Sequence, residues 1–295
     1  MTGVQTCALP ICALTERPLR LGVALGTIGL SAHEWLDLSG ELASLPITRV
    51  WVWDHLMGRG APDRPVLEAL TLASAALARH PGLSVGTLVL DVTKRHPALV
   101  AKSVASIASF APGRFLVGLG AGGDPSEHRA LGMPFGSSAQ RISQLTDSVA
   151  ILRAMLEGDP SARITRKGDH GGVMLEDAAS SPRPEPPVPI YIAGDHPASI
   201  GLAATAGNGW IAPVATFGRG IVRLRGEEQR CGRAPESVSA VVLQELGRTE
   251  SLAETPFGAD PDAWLAAQRA AGADEAIVTV RTAEDVATVS AMMKR

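Results

Sequence analysis

From Pro18 onward, short apolar or β-branched runs alternate with longer Ala- and Leu-rich stretches in which apolar residues recur at helical spacing. Short apolar runs suit strands buried on both faces, and the longer periodic stretches suit the helices that cover them. Residues 19–25 predict a first strand and residues 32–44 its helix, with Trp35, Leu38 and Leu42 on one face. Residues 49–53 with 65–79, 83–90 with 96–110, and 115–119 with 139–156 predict three further pairs. Pro97 sits in the first turn of its helix, where a missing N–H is tolerated. After a break, 189–193 with 198–206, 209–213 with 217–231, 237–246 with 260–271, and 275–280 with 283–294 complete the series. The break at residues 157–187 holds Gly158, Gly168, Gly171, Gly172 and five prolines. It is too long for an ordinary βα connection. It reads as an insertion after the helix that follows the fourth strand, forming a small hairpin across the barrel mouth.

This alternation is the α/β pattern of a parallel sheet. Eight pairs in a chain of 295 residues predict a (β/α)8 TIM barrel. A doubly wound sheet is the alternative, but it prefers its glycine-rich turn directly after the first strand. Here the run Gly113-Arg-Phe-Leu-Val-Gly-Leu-Gly-Ala-Gly-Gly123 surrounds the fourth. In a barrel the strand C-termini carry the site. Polar and glycine residues collect at those positions: Asp54 and His55 after the second strand, Gly120 to Gly123 after the fourth, and Gly194, Asp195 and His196 after the fifth.

Five of the six residues from Gly118 to Gly123 are Gly or Ala. Glycine costs about 0.5–1 kcal/mol relative to Ala in a regular element, so the run implies either a tight turn or the close approach of another group to bare backbone. His55 reads either as a hydrogen-bonded structural residue or as a proton-exchanging group at a strand end. The segment before Pro197 offers a helix N-terminus suited to an anion. Asp195 is awkward beside a phosphate, and either His196 compensates or Asp195 caps the helix. Glu127 and His128 read as the solvated start of a helix, with a pocket-facing position as the alternative. Arg114 and Arg141 read as structural ties between the fourth strand and neighbouring helices.

Composition narrows the partners. The net charge is −3 with mixed signs and no basic block, and no apolar run reaches the roughly 18 residues of a membrane helix. Nucleic acid and membrane are therefore not expected. Cys7, Cys12 and Cys231 have no metal-ligand spacing and form no even disulfide set, which suits a reducing cytoplasm and predicts no metal site. Residues 2–11 resemble the translation of a DNA-sequencing library adapter, so residues 1–17 are set aside as a non-native or disordered extension and 18–295 is treated as one domain. A secretory signal is the rival for that extension, but it lacks a basic start and a sustained apolar core. A fragment from a misassembled gene is a further alternative.

Trp51-Val-Trp-Asp-His55, Gly86-Thr-Leu-Val89, Arg95-His-Pro97, the Gly113–Gly122 run, Leu131-Gly-Met-Pro-Phe135 with Arg141, Pro189-Ile-Tyr-Ile-Ala-Gly194 and Ala206-Gly-Asn-Gly-Trp210 occur in this order. Together they resemble the successive motifs of the luciferase-like flavin and deazaflavin oxidoreductases. The resemblance implies a TIM barrel, often dimeric, acting as a monooxygenase or a hydride-transferring dehydrogenase or reductase on a small organic molecule. It implies coenzyme F420, an 8-hydroxy-5-deazaflavin, ahead of FMN, because the Ala-, Gly- and Arg-rich composition suggests a GC-rich genome. With FMN, a flavin reductase becomes a possible partner. By the same resemblance, Asp54 and His55 contact the ring, with His55 catalytic. Leu88 and Val89 form its floor, through either a non-proline cis peptide or an ordinary trans strand. Gly120, Ala121, Gly122 and Gly123 meet the cofactor tail, as do Ala193, Gly194, Asp195 and His196. Sugar-phosphate dehydrogenases of the family carry an acid where this chain has Gly123 and a Trp where it has Arg59, so their acid-base chemistry is not inherited. Aromatics make up 4% of the chain, which leaves few stacking partners for a large planar substrate. A non-catalytic flavin-binding barrel is the alternative function.

Overall fold

The computed structural model describes residues 18–58, 60–168, 174–247 and 250–294. The N-terminal extension with Cys7 and Cys12, and Arg59, Gly171 and Gly172, lie outside them. The elements run β1 (Arg20–Leu25), α1 (Ala32–Ala43), β2 (Val50–Val52), α2 (Ala69–Arg79), β3 (Val85–Thr87), β4 (Leu90–Asp91), α3 (Pro97–Phe110), β5 (Phe115–Gly120), α4 (Pro125–Ala130) and α5 (Ser138–Glu157). They continue with β6 (Ile164–Lys167), β7 (Met174–Ala178), β8 (Ile190–Ala193), α6 (Pro197–Ala206), β9 (Gly209–Pro213), α7 (Val214–Arg230), β10 (Ser239–Gln244), α8 (Pro256–Ala259), α9 (Pro261–Ala270), β11 (Glu275–Val280) and α10 (Ala283–Met293). β1 pairs in parallel with both β2 and β11, and β3 joins β2 to β5, so the sheet closes. With β3 and β4 sharing one position, the barrel has eight, as the alternation predicts.

Alternate residues of each strand fill the interior. Trp51 and Tyr191 lie there with ring centroids 6.3 Å apart, beside Ala24, Leu116, Ile211, Val241 and Ile277. Two large rings fit because their neighbours have no side chain. A Cβ on Gly22 or Gly86 would stand 2.6 Å from the Trp51 indole, and one on Gly209 would stand 2.6 Å from the Tyr191 ring. Below them the fully buried Glu275 accepts from Trp51 Nε1 at 3.1 Å and Thr48 Oγ1 at 3.2 Å, with Arg49 Nε 3.4 Å away. A second apolar shell lies between the strands and the surrounding helices.

Four expectations change. The third strand is split: the Leu88–Val89 peptide is cis, Leu88 N bonds Val52 O at 2.7 Å, and β4 then pairs with β5 alone. α2 begins at Ala69, because Pro65 and Val66 are held extended against Ile28 and Gly29 and Glu68 caps the helix. The helix start expected at Glu127 and His128 is a separate short helix, α4, and a second short helix, α8, interrupts a stretch expected to be loop. The insertion does contain a hairpin, β6–β7, but it lies away from the mouth. It leaves the C-terminal end of α5, where Arg183 binds Ala154 O and Ser180 binds Met155 O, and Pro186 lies against Gly113 before β5. A connection from a helix end to the next strand start belongs to the opposite face of the barrel. Among the described residues no helix is long and apolar enough to cross a membrane.

The glycine run has a protein partner. A Cβ on Gly118 would stand 2.2 Å from Thr87 O, and one on Gly120 2.7 Å from Val89 Cγ2. We therefore expect Gly118→Ala to destabilise by about 1–3 kcal/mol through overpacking, lowering the thermal midpoint by about 2–4 °C per kcal/mol. Gly218→Ala, in α7 with nothing within 4 Å of the added Cβ, should be neutral or stabilising by up to about 1 kcal/mol. Thermal unfolding of both variants, giving equal midpoints, would remove this account.

Candidate active site

The C-terminal strand ends form a rim over an apolar layer of Trp53, Leu88, Val89, Ala193 and Leu243, which caps the interior cluster. On the side of β1, β2, β3, β10 and β11 a cavity of about 670 Å³ opens, lined among others by Trp53, His55, Leu88, Leu243, Arg64 and Arg281. This volume falls in the range of small-molecule and cofactor sites, roughly 300–1,000 Å³. Its floor is apolar and its walls carry both signs of charge, including Glu245 and Glu250.

Two buried ion pairs stand behind His55. Arg95 bonds the Asp54 carboxylate bidentately, Nη1 to Oδ2 and Nη2 to Oδ1, each at 2.6 Å. Arg95 Nη2 also bonds Glu68 at 2.7 Å, and the Asp91 N–H donates to Asp54 Oδ2 at 2.8 Å. Burial pushes the Asp54 carboxyl up from its ordinary value against the pull of Arg95. The bidentate geometry is nonetheless that of a charged pair, and despite burial the bonds to Asp54 and Glu68 raise Arg95 above its ordinary value.

The second pair joins Lys94 Nζ to Glu127 Oε2 at 2.5 Å, each side chain 3% exposed. Lys94 Nζ also donates to Asp54 O at 2.7 Å. Glu127 Oε1 accepts from the Leu56 N–H and, at 2.8 Å, from the Met57 N–H. His55 Nδ1 lies 3.8 Å from Glu127 Oε2. Burial raises the Glu127 carboxyl, but Lys94 and the two amides outweigh it and hold it below the usual carboxylate range. The solvated helix start expected at Glu127 and His128 is therefore replaced by two buried side chains. The reason is that α4 has only six residues and turns both inward. His128 Nδ1 donates to Asp124 O at 2.8 Å, and Thr93 Oγ1 lies 2.6 Å from both His128 Nε2 and Asp91 Oδ1.

The other expected site residues divide. His55 and Leu88 share the cavity, and Leu88, Val89 and Ala193 share the apolar layer. Asp54 turns its carboxylate to Arg95. Gly120 makes room for Val89, and Gly122, at φ +79°, makes room for the Asp91 carboxylate. Ala121 O accepts from Arg141 Nε at 3.2 Å, while Gly123 faces open space. Gly194, at φ +133°, accepts from Trp210 Nε1 through its carbonyl. Asp195 is exposed, and it is His196 that caps α6, its Nδ1 accepting from Ala198 N. Residues 120–123 and 194–196 belong to the same rim, but they do not line the cavity. Arg114 and Arg141 are structural as expected, Arg114 binding the carbonyls of Leu77, His80 and Leu83. No cluster of His, Cys, Asp or Glu among the described residues is arranged for a metal.

Sequence reasoning missed Lys94, and it favoured a solvated position for Glu127. The available signal for Lys94 was its place in a loop following a strand C-terminus, the position already used for His55. Nothing along the chain joins it to Glu127, 33 residues away.

Residues 17–245 match the model of a family described as luciferase-like monooxygenase. An F420-dependent glucose-6-phosphate dehydrogenase of Kineococcus radiotolerans is 29% identical over 206 residues, 70% of this chain. One of Beutenbergia cavernae is 33% identical over 203 residues, 68% of this chain. The matched segment spans 58% of the length of each relative. An F420-dependent secondary alcohol dehydrogenase, solved with an F420-acetone adduct, superposes with a TM-score of 0.76 at 17% identity, covering 94% of this chain and 99% of the other. That similarity shows a shared fold.

Two outcomes follow from the ion pairs. Arg95→Met leaves Asp54 buried without its partner and should cost about 3–5 kcal/mol, whereas Asp54→Asn combined with Arg95→Met should recover much of it; urea unfolding reads both. Because folding lowers the Glu127 carboxyl, its contribution is complete above the ordinary value of 4.5 and is lost as pH falls through the lowered one. The stability gap between the protein and Glu127→Gln should therefore narrow on acidification from neutral pH; a constant gap would contradict the assignment.

Proposed function

The chain belongs to the luciferase-like monooxygenase family, and we propose that it is an oxidoreductase that binds coenzyme F420 at the barrel mouth and uses it on a small organic substrate. The observation that carries this reading is the joint position of His55 and Leu88 in one cavity floored by Trp53 and Leu243. The cavity fits the group: its apolar floor suits a planar ring, and its size accommodates a substrate beside it. Leu88 and Trp53 would back the ring and His55 would border it. Val89 and Ala193 continue the apolar layer beside them, and Gly123, outside the cavity, offers open backbone along the rim to the tail. When bound, such a ring gives or accepts a hydride.

His55 is the group that moves the accompanying proton. An imidazole exchanges protons near neutral pH, and general acid-base assistance of this kind is worth about 10²–10⁴-fold. With Nδ1 turned toward Glu127, the Nε2 edge is the one that meets the substrate proton. Asp54 acts from behind, through Arg95, rather than on the ring itself. The proposal includes a cytoplasmic location, where the cell's redox coenzymes are supplied. It also includes pairing of two copies across the α2–α3 face, where Leu99 and Phe110 are 63% and 48% exposed beside a groove. A flavin reductase enters only if FMN replaces F420.

Titrating the purified protein with F420 and with FMN tests the reading. Saturable F420 binding is expected, with His55→Ala keeping the thermal midpoint and lowering turnover about 10²–10⁴-fold. Binding of FMN alone would overturn the coenzyme. F420 binding without turnover on any alcohol, aldehyde or ketone panel would leave a non-catalytic binding protein.

A further inference from the structure

The residues flanking His55 are all held by the same two side chains. Lys94 Nζ binds the carbonyl of Asp54, the residue before it, and Glu127 Oε1 binds the amides of Leu56 and Met57, the two residues after it. Lys94 and Glu127 are also bonded to each other. The turn carrying His55 is thus fastened on both sides to one buried ion pair, whose carboxylate also faces the imidazole at 3.8 Å. Trp53 meets the His55 ring edge-on, with centroids 6.4 Å apart and planes at 88°.

We propose that Lys94 and Glu127 form a positioning pair that sets both the place of His55 at the cavity and the balance between its neutral and charged forms. The inference rests on the reading of His55 as the proton-exchanging group. Neither residue touches the cavity, so neither is catalytic. An anion within about 4–6 Å favours the imidazolium and a cation disfavours it. The pair therefore applies opposing fields to His55. Among the described residues, the other charged groups around this turn have partners of their own or line the wider cavity. Asp54 and Arg95 neutralise each other. Asp91 and His128 are joined through Thr93, and the Asp124 carboxylate caps α4 through the Ser126 and Glu127 amides. Arg64, Arg281, Glu245 and Glu250 line the wider cavity with mixed sign.

The opposing fields give a signature that a purely structural role does not. In the coenzyme-free protein, the His55 ring can be titrated by NMR, its signal among the seven histidines identified by its loss in His55→Asn. Glu127→Gln keeps an acceptor for the two amides and removes the charge, so the His55 pKa should fall by about 1–3 units. Lys94→Met should raise it, and the double variant should lie between the two. Lys94→Arg should leave it unchanged. In the F420-loaded enzyme, the His55-dependent limb of the turnover profile should move in the same directions, with a smaller change in KM. If both single variants shift the pKa the same way, or neither moves it, the proposal is wrong. Should Lys94→Met fail to fold, Glu127→Gln alone decides, since an unchanged or raised pKa overturns the coupling. The NMR measurement involves no coenzyme, so opposite shifts without F420 turnover would sink the proposed function and spare the pair, and intact turnover without shifts would do the reverse.

Discussion

The bidentate bond between Arg95 and Asp54 is the contact on which the rim depends. It joins the turn after β2 to the turn after β4, and both ends are largely withdrawn from solvent, at 13% and 1% side-chain exposure. A carboxylate and a guanidinium at that depth are tolerated only when each satisfies the other. Any displacement of either turn breaks two charge-assisted bonds at once, so the two turns behave as one unit. His55 follows Asp54 directly, and Lys94 precedes Arg95. The same contact therefore places the imidazole and the ammonium that stands behind it.

Beneath the rim, the barrel is organised by size complementarity. Trp51 and Tyr191 are too large for a ring of eight strands whose neighbours all carry side chains, and Gly22, Gly86 and Gly209 supply the space. The same logic continues upward: Gly118 and Gly120 on β5 yield to Thr87 and Val89, and Gly122 yields to Asp91. The glycine run is therefore a template for the irregular path of the neighbouring strand between β3 and β4. It serves the site at one remove, by letting Val89 and Leu88 lie where they floor the mouth.

The strand and helix alternation was legible because each element is short, apolar and punctuated by proline or glycine, and the barrel follows from counting eight pairs. His55 and Leu88 were legible from their motifs. The glycines were legible as a constraint, although the group approaching them is protein at 118, 120 and 122 and open space only at 123. The insertion was legible as a hairpin, but its face was not, because that depends on which end of α5 it leaves. Glu127 was misread for a more general reason. A polar residue four positions from a glycine run looks solvated when its partners, Lys94 and the amides of Leu56 and Met57, lie 33 to 71 residues away.

Those distant partners also bear on why the charges are there. Replacing a buried ion pair with apolar residues of similar volume is often neutral or stabilising, so stability alone gives no reason to keep two such pairs side by side. Elsewhere in the chain, exposed or half-exposed pairs such as Arg79–Asp37, between α2 and α1, and Arg153–Glu157, within α5, cost little. Behind His55 both partners of two ion pairs are nearly withdrawn from water, as Arg49 and Glu275 are lower in the barrel, but behind His55 the bonds reach the backbone on either side of a single imidazole. An apolar core at that place would exert no field on the ring and would leave the carbonyl of Asp54 and the amides of Leu56 and Met57 without partners, which itself costs stability. The cost of burying these charges is therefore best understood as the cost of specifying one side chain's position and electrostatic surroundings.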